Sequence, residues 1–141
     1  LPSTLCKSGE NAFGYCRNLK QITIPDGVTE IGKNAFRQCY ELTNINIPDS
    51  VTFIGKSNFN RCMNLQSVVI PDGVTSIEQC LFFSAKSLKS VVIPKSVTFI
   101  KKNAFDGCPS LKTINFLGTR NQWKELKLKL DGNIIVKCSD D

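Results

Sequence analysis

Residues 28–50 read VTEIGKNAFRQCYELTNINIPDS, and residues 51–73 read VTFIGKSNFNRCMNLQSVVIPDG. The two stretches are near-copies laid end to end with a period of 23 residues. A fixed period of this length is the signature of a stacked repeat, so the unit is read before any single element. Sliding the pattern along the 141-residue chain gives five units: 5–27, 28–50, 51–73, 74–96 and 97–119. Residues 1–4, LPST, read as the tail of a preceding unit, and residues 120–141 do not fit the period. The expected organisation is one elongated domain made of a repeat tail, five units and a C-terminal cap.

When each unit is numbered 1 to 23, position 9 is always Phe: Phe13, Phe36, Phe59, Phe82 and Phe105. Position 15 is always Leu, from Leu19 to Leu111. Positions 18 and 20 are Ile, Val or Phe, with Pro25, Pro48, Pro71 and Pro94 just after the first four. This short alternation of β-branched residues predicts a strand. Proline, which has no N–H for a ladder, marks its end, and DG or DS makes the turn. The other half, V-T-x-I-G-x-N-A-F-x-x-C, puts Val and Ile inward at positions 1 and 4. Its positions 8, 9 and 12 suit one side of a single helical turn. Asn11, Asn34, Ser57 and Asn103 at position 7 suit its N-cap. Gly9, Gly32 and Gly55 at position 5 suit a backbone that needs positive φ. The expected fold is an α/β repeat solenoid with one short parallel strand and one short helical turn per coil. No coil can bury its own apolar row, so stacking buries Phe on Phe and Leu on Leu.

On these residues the chain resembles the BspA-like leucine-rich repeat family, over residues 1–119. The end piece FLGTRNQWKEL…IIVKCSDD resembles the closing cap of such proteins in gut Firmicutes, at Gly118, Thr119, Gln122, Trp123 and Cys138. The resemblance implies a leucine-rich repeat solenoid that is secreted or on a bacterial cell surface. It also implies adhesion to host extracellular matrix or to other cells.

Seven cysteines raise the question of metal or disulfides. Cys16, Cys39, Cys62 and Cys108 all occupy position 12. One per coil, they form a parallel row, a geometry that suits neither a disulfide nor a tetrahedral site. Buried thiols, reduced and metal-free, are expected. Cys6, Cys80 and Cys138 lie off the row, and a disulfide among them stays open. The fourth unit departs from the pattern at Glu78, Cys80, Leu81 and Ala85, read as drift with compensating volumes in preference to a site at Cys80.

The sequence offers little for catalysis. It has no His and no phosphate loop, nucleophile elbow or zinc-protease motif. No cofactor is expected. Asp26, Asp49 and Asp72 recur at one position and read as turn residues in preference to calcium ligands. No stretch approaches the roughly 20 apolar residues of a membrane span, and none reads as a signal peptide.

Two surfaces remain as candidates for binding. Positions 17 and 19 flank the inward strand residues and face outward. They carry Gln21, Thr23, Asn44, Asn46, Ser67, Val69, Ser90, Val92, Thr113 and Asn115. Five strands about 4.8 Å apart would make a shallow face some 20–25 Å long, suited to a protein partner. Val69 and Val92 would be its apolar centre.

The second surface is basic. Residues 74–130 hold ten basic and three acidic side chains, against seven and six in residues 1–73. The ten are Lys86, Lys89, Lys95, Lys101, Lys102, Lys112, Arg120, Lys124, Lys127 and Lys129. They could attract an acidic glycan or an acidic protein. Without a stacking platform or recognition helix, nucleic acid is disfavoured. A non-enzymatic protein-binding module is the expected function, and a structural spacer with no ligand of its own is the alternative. Trp123, Leu126, Leu128, Leu130, Ile134 and Val136 are expected to cover the last coil.

Overall fold

The computed structural model describes residues 7–130 and 132–141. The expected repeat tail, Leu5 and Cys6 lie outside the described residues. The elements in chain order are β1 (Lys7–Ser8), β2 (Glu30–Ile31), β3 (Phe53–Ile54), β4 (Ser67–Val69), β5 (Ser76–Ile77), β6 (Ser90–Ile93), β7 (Phe99–Ile100), β8 (Thr113–Phe116), α1 (Arg120–Glu125) and β9 (Ile135–Lys137). All pairings are parallel. Among the repeat strands each residue sits beside the one a full unit later, as in Lys7 with Glu30, Ser67 with Ser90 and Ser90 with Thr113.

That register stacks like on like. Val28, Val51, Val74 and Val97 are buried, as are Ile31, Ile54, Ile77 and Ile100. The five phenylalanines form a stack with ring centroids 5.5, 6.0, 5.6 and 5.5 Å apart and planes within 15°. Each such pair contributes about 0.5–1.5 kcal/mol beyond its buried area. Leu42, Leu65, Leu88 and Leu111 complete the core, together with the inward strand residues Val68, Ile70, Val91, Ile93, Ile114 and Phe116. In the fourth coil the larger Leu81 and the smaller Ala85 are both buried. Cys80 stands at position 7, where every coil makes the same turn.

The expected helical turn in each coil is not there; the one α-helix among the described residues is α1 in the end piece. The reason is backbone conformation. Position 7, held by Asn11, Asn34, Ser57, Cys80 and Asn103, has φ of 55–60°. Position 11, held by Tyr15, Gln38, Arg61, Ser84 and Gly107, has φ of 56–71°. Two left-handed residues four apart interrupt any right-handed helix, and the position 7 residues are therefore not N-caps. The hydrogen bonds show what replaces it. The N–H groups of Ser57, Phe59 and Arg61 donate to Gln79, Leu81 and Phe83 in the next coil, at 3.0, 2.9 and 2.9 Å. The intervening N–H groups of Asn60 and Cys62 close turns on Ser57 and Phe59. Three of these five donors join neighbouring coils, whereas a helix would use them internally.

The glycines at position 5 also have another cause. Gly9, Gly32 and Gly55 do not have positive φ. A Cβ on Gly32 would lie 2.6 Å from the Ser8 carbonyl oxygen, and one on Gly55 would lie 2.6 Å from the Lys33 nitrogen. At Gly32 and Gly55 glycine is present because adjacent backbones touch, whereas a Cβ on Gly9 would meet nothing within 4 Å. Glu78 is the first side chain at this position, and there the ladder on this side breaks into β1-β2-β3 and β5-β7. The Glu78 carboxylate accepts from Ser76 Oγ at 2.8 Å and from Lys101 Nζ at 2.5 Å. Coils three and four stay joined through β4 and β6.

The end piece docks by its own contacts. Thr119 and Gln122 form a reciprocal capping box at the start of α1. Trp123 packs at 59° on Phe116, with centroids 5.4 Å apart. β9 pairs with β8, adding a rung to the sheet. Arg120 Nη2 bonds the Asp141 carboxylate and donates to the Val136 carbonyl at 2.9 Å. Asp140 accepts from the Arg120 N–H at 2.8 Å.

Candidate binding surfaces

The strand face is one continuous sheet only from the third coil onward, in the order β4-β6-β8-β9. In the first two coils the outward positions are joined by a single bridge, Thr23 with Asn46. Gln21, Thr23, Asn44 and Asn46 are exposed, but they do not extend the sheet. The expected five-strand face is therefore a four-strand face, displaced toward the end piece.

Its two outward rows follow from the register. One row is Ser67, Ser90, Thr113 and Ile135; the other is Val69, Val92, Asn115 and Lys137. Val69 and Ile135 are each 60% exposed, while Val92 is half-buried. Single exposed apolar residues are ordinary. Here two lie on one small-residue sheet, among Ser, Thr and Asn side chains that can hydrogen-bond. The sequence reading placed Ile134 and Val136 inward but did not carry Ile135 and Lys137 to the face. Strand alternation through Ile134–Cys138 was the available signal.

The ten cations do not form one patch. Lys101, Lys102, Lys112, Lys127 and Lys129 line a cleft of about 940 Å³ between the fifth coil and the end piece, with Phe105 and Leu128 in its walls. Lys101 is paired with Glu78, and Arg120 with Asp141. Lys89, Lys95 and Lys124 are exposed elsewhere, and Lys86 lines a separate groove beside Tyr40 and Arg61.

The thiol row is partly as expected. Cys39 and Cys62 are buried and Cys108 is half-buried, but Cys16 in the first coil is exposed. Burial pushes the Cys39 and Cys108 thiols up to about 11, and pushes Cys62 higher still. Cys80 and Cys138 are free. Cys138 approaches Asp140 and Asp141, but both carboxylates already bind Arg120. Asp26, Asp49 and Asp72 are exposed at their turns.

The family model described as the BspA type leucine rich repeat region matches residues 4–126 in six copies. No curated protein matches the chain. A solved leucine rich cell surface protein from Faecalibacterium prausnitzii A2-165 superposes with a TM-score of 0.86 at 33% identity, over 92% of this chain and 35% of that one. A leucine rich repeat protein of T. pallidum gives 0.81 at 28% identity, over 98% and 67%. The pneumococcal vaccine antigen PcpA, at 19% identity and a TM-score of 0.66 over 98% and 40%, shares the fold alone. The chain thus spans about a third of the length of the F. prausnitzii protein.

Proposed function

The chain belongs to the BspA-type leucine-rich repeat family, and from that premise we propose that it is a non-enzymatic protein-binding module of a bacterial surface or secreted protein. We assign residues 5–119 to the repeats and residues 120–141 to a cap over the last coil. The bound partner is a protein, such as a component of host extracellular matrix, and it meets the strand face. The observation that carries this reading is the pair Val69 and Ile135, each 60% exposed on one small-residue sheet. They stand on the two edge strands, β4 and β9, with Ser90, Thr113 and Asn115 between them, so the face offers apolar contacts at both margins and hydrogen-bonding groups in the middle. Similarity to the cell surface protein of F. prausnitzii supports a surface location. No helix among the described residues is long and apolar enough to cross a membrane.

The experiment is a binding screen of the isolated chain against immobilised matrix proteins, with a scrambled-surface variant at positions 17 and 19 as control. Saturable binding by the chain and none by the variant supports the module. No saturable binding of the chain to any matrix protein supports a spacer.

A further inference from the structure

The edge that leads into the main strands, built from positions 10 to 14, differs from the rest of the surface. Three of the four arginines, Arg17, Arg37 and Arg61, and both tyrosines, Tyr15 and Tyr40, lie there, while the lysines are spread over the whole molecule. The aromatic and cationic groups are paired across coils. The Arg37 guanidinium lies 5.9 Å from the Tyr15 ring centre, and that of Arg17 lies 5.5 Å from the Tyr40 ring centre. Such stacking fixes a guanidinium in place, so less freedom is lost when it meets an oxyanion. The Tyr40 hydroxyl donates to Gln38 Oε1 at 2.9 Å, which fixes the ring as well.

Beyond Tyr40, toward coils three and four, lies a groove of about 610 Å³. That volume is in the usual range for a small-ligand site. Its walls combine three kinds of group: the cations Arg61 and Lys86, the apolar surfaces of Tyr40 and Met63, and the polar groups of Asn64, Ser84 and Glu41.

We propose that this groove and the stacked arginines beside it bind an acidic oligosaccharide, one whose sugars carry carboxylate or sulfate groups. Each part of the groove meets a different part of such a ligand. Arg61 and Lys86 match the anion, the Tyr40 and Met63 surfaces match the C–H face of a sugar ring, and Asn64 and Ser84 match its hydroxyls. Glu41 favours a sugar over an acidic peptide because its carboxylate accepts from sugar hydroxyls, donors that ionised acidic side chains lack. With coils about 4.8 Å apart, Arg17 and Arg37 continue the line of cations to a second sugar. This surface is distinct from the strand face, and binding at either one is independent of the other.

Calorimetric titration of the whole chain near physiological salt tests this. The probes are an oligogalacturonate, a heparin-derived hexasaccharide, a neutral oligosaccharide of equal length and an oligoglutamate. The expected result is binding of one or both acidic sugars and of neither other probe. Arg61→Asn with Lys86→Gln, where Asn tolerates the left-handed backbone, should weaken that binding roughly tenfold or more. Tyr40→Ala should also weaken it. Lys127→Gln with Lys129→Gln should leave it unchanged. Failure of both acidic sugars to bind would overturn the proposal, as would oligoglutamate binding equally well, or an equal loss when Lys127 and Lys129 are neutralised.

Discussion

The thiol of Cys62 donates to the backbone carbonyl of Phe36 in the preceding coil at 3.1 Å. Cys39 makes the same bond to Phe13 at 3.1 Å, and Cys108 makes it to Phe82 at 3.0 Å. The repeated cysteine is thus a small buried side chain with one weak donor, and the repeated phenylalanine offers the acceptor. With a thiol reagent at pH 8, Cys16 should react quickly, while Cys39 and Cys62 should react only after unfolding. Rapid modification of Cys62 in the native protein would contradict this placement.

The same burial makes stability depend on pH. Cys39 and Cys108 titrate near 11 when folded and near 9 when unfolded. Between those values the unfolded chain has released protons that the folded chain retains, so stability falls as pH rises. The melting temperature should drop between pH 8.5 and 10.5. Replacing Cys39, Cys62 and Cys108 by Ala should lower stability at pH 8 but flatten that decline. An equally steep decline in the triple variant would assign it to other groups.

Left-handed backbone at position 11 predicts an inverted glycine effect. Ser84 has φ of 56°, a conformation costing a non-glycine residue about 1–2 kcal/mol. Ser84→Gly should therefore hold or raise the melting temperature, and Ser84→Val should lower it. In a helical turn Gly would instead cost about 0.5–1 kcal/mol, so a clear drop with Ser84→Gly would restore the helix.

Close backbone approach at position 5 predicts a contrast between two glycines of like sequence context. Gly55→Ala forces a Cβ to 2.6 Å from the Lys33 nitrogen, and should cost about 1–3 kcal/mol, as overpacking does. Gly9→Ala meets nothing within 4 Å and should be close to neutral. Chemical denaturation of the two variants measures the difference.

What the sequence disclosed and what it hid have one physical origin. Side chains that stack on their own copies, such as Phe36 on Phe59, must repeat with the coil, so period alone finds them. Backbone conformation leaves a fainter mark. Asn11, Asn34 and Asn103 at position 7 and Gly107 at position 11 were compatible with left-handed turns, but Tyr15, Gln38 and Arg61 at position 11 gave no such sign. For Gly32, positive φ and close approach predict the same residue, and only the distance to Ser8 separates them. On the candidate face, Val69 and Val92 followed from alternation, whereas Ile135 joined it through a pairing with Thr113 that lies outside the repeat period.

The end piece should be required for a soluble fold. Trp123, Leu126, Leu128, Leu130, Ile134 and Val136 all pack against the core, and Trp123 covers Phe116. Deleting residues 120–141 should cause aggregation or a marked fall in melting temperature. An equally stable, monodisperse truncation would show that the last coil needs no cover.

The strand face as partner site is tested most directly by Val69→Glu combined with Ile135→Glu, with affinity for a matrix protein captured by the native chain as the measurement. Both side chains are already mostly in water, so circular dichroism and melting should stay near those of the native protein. The account predicts that this folded variant loses binding. A folded variant that binds the partner with native affinity would contradict it.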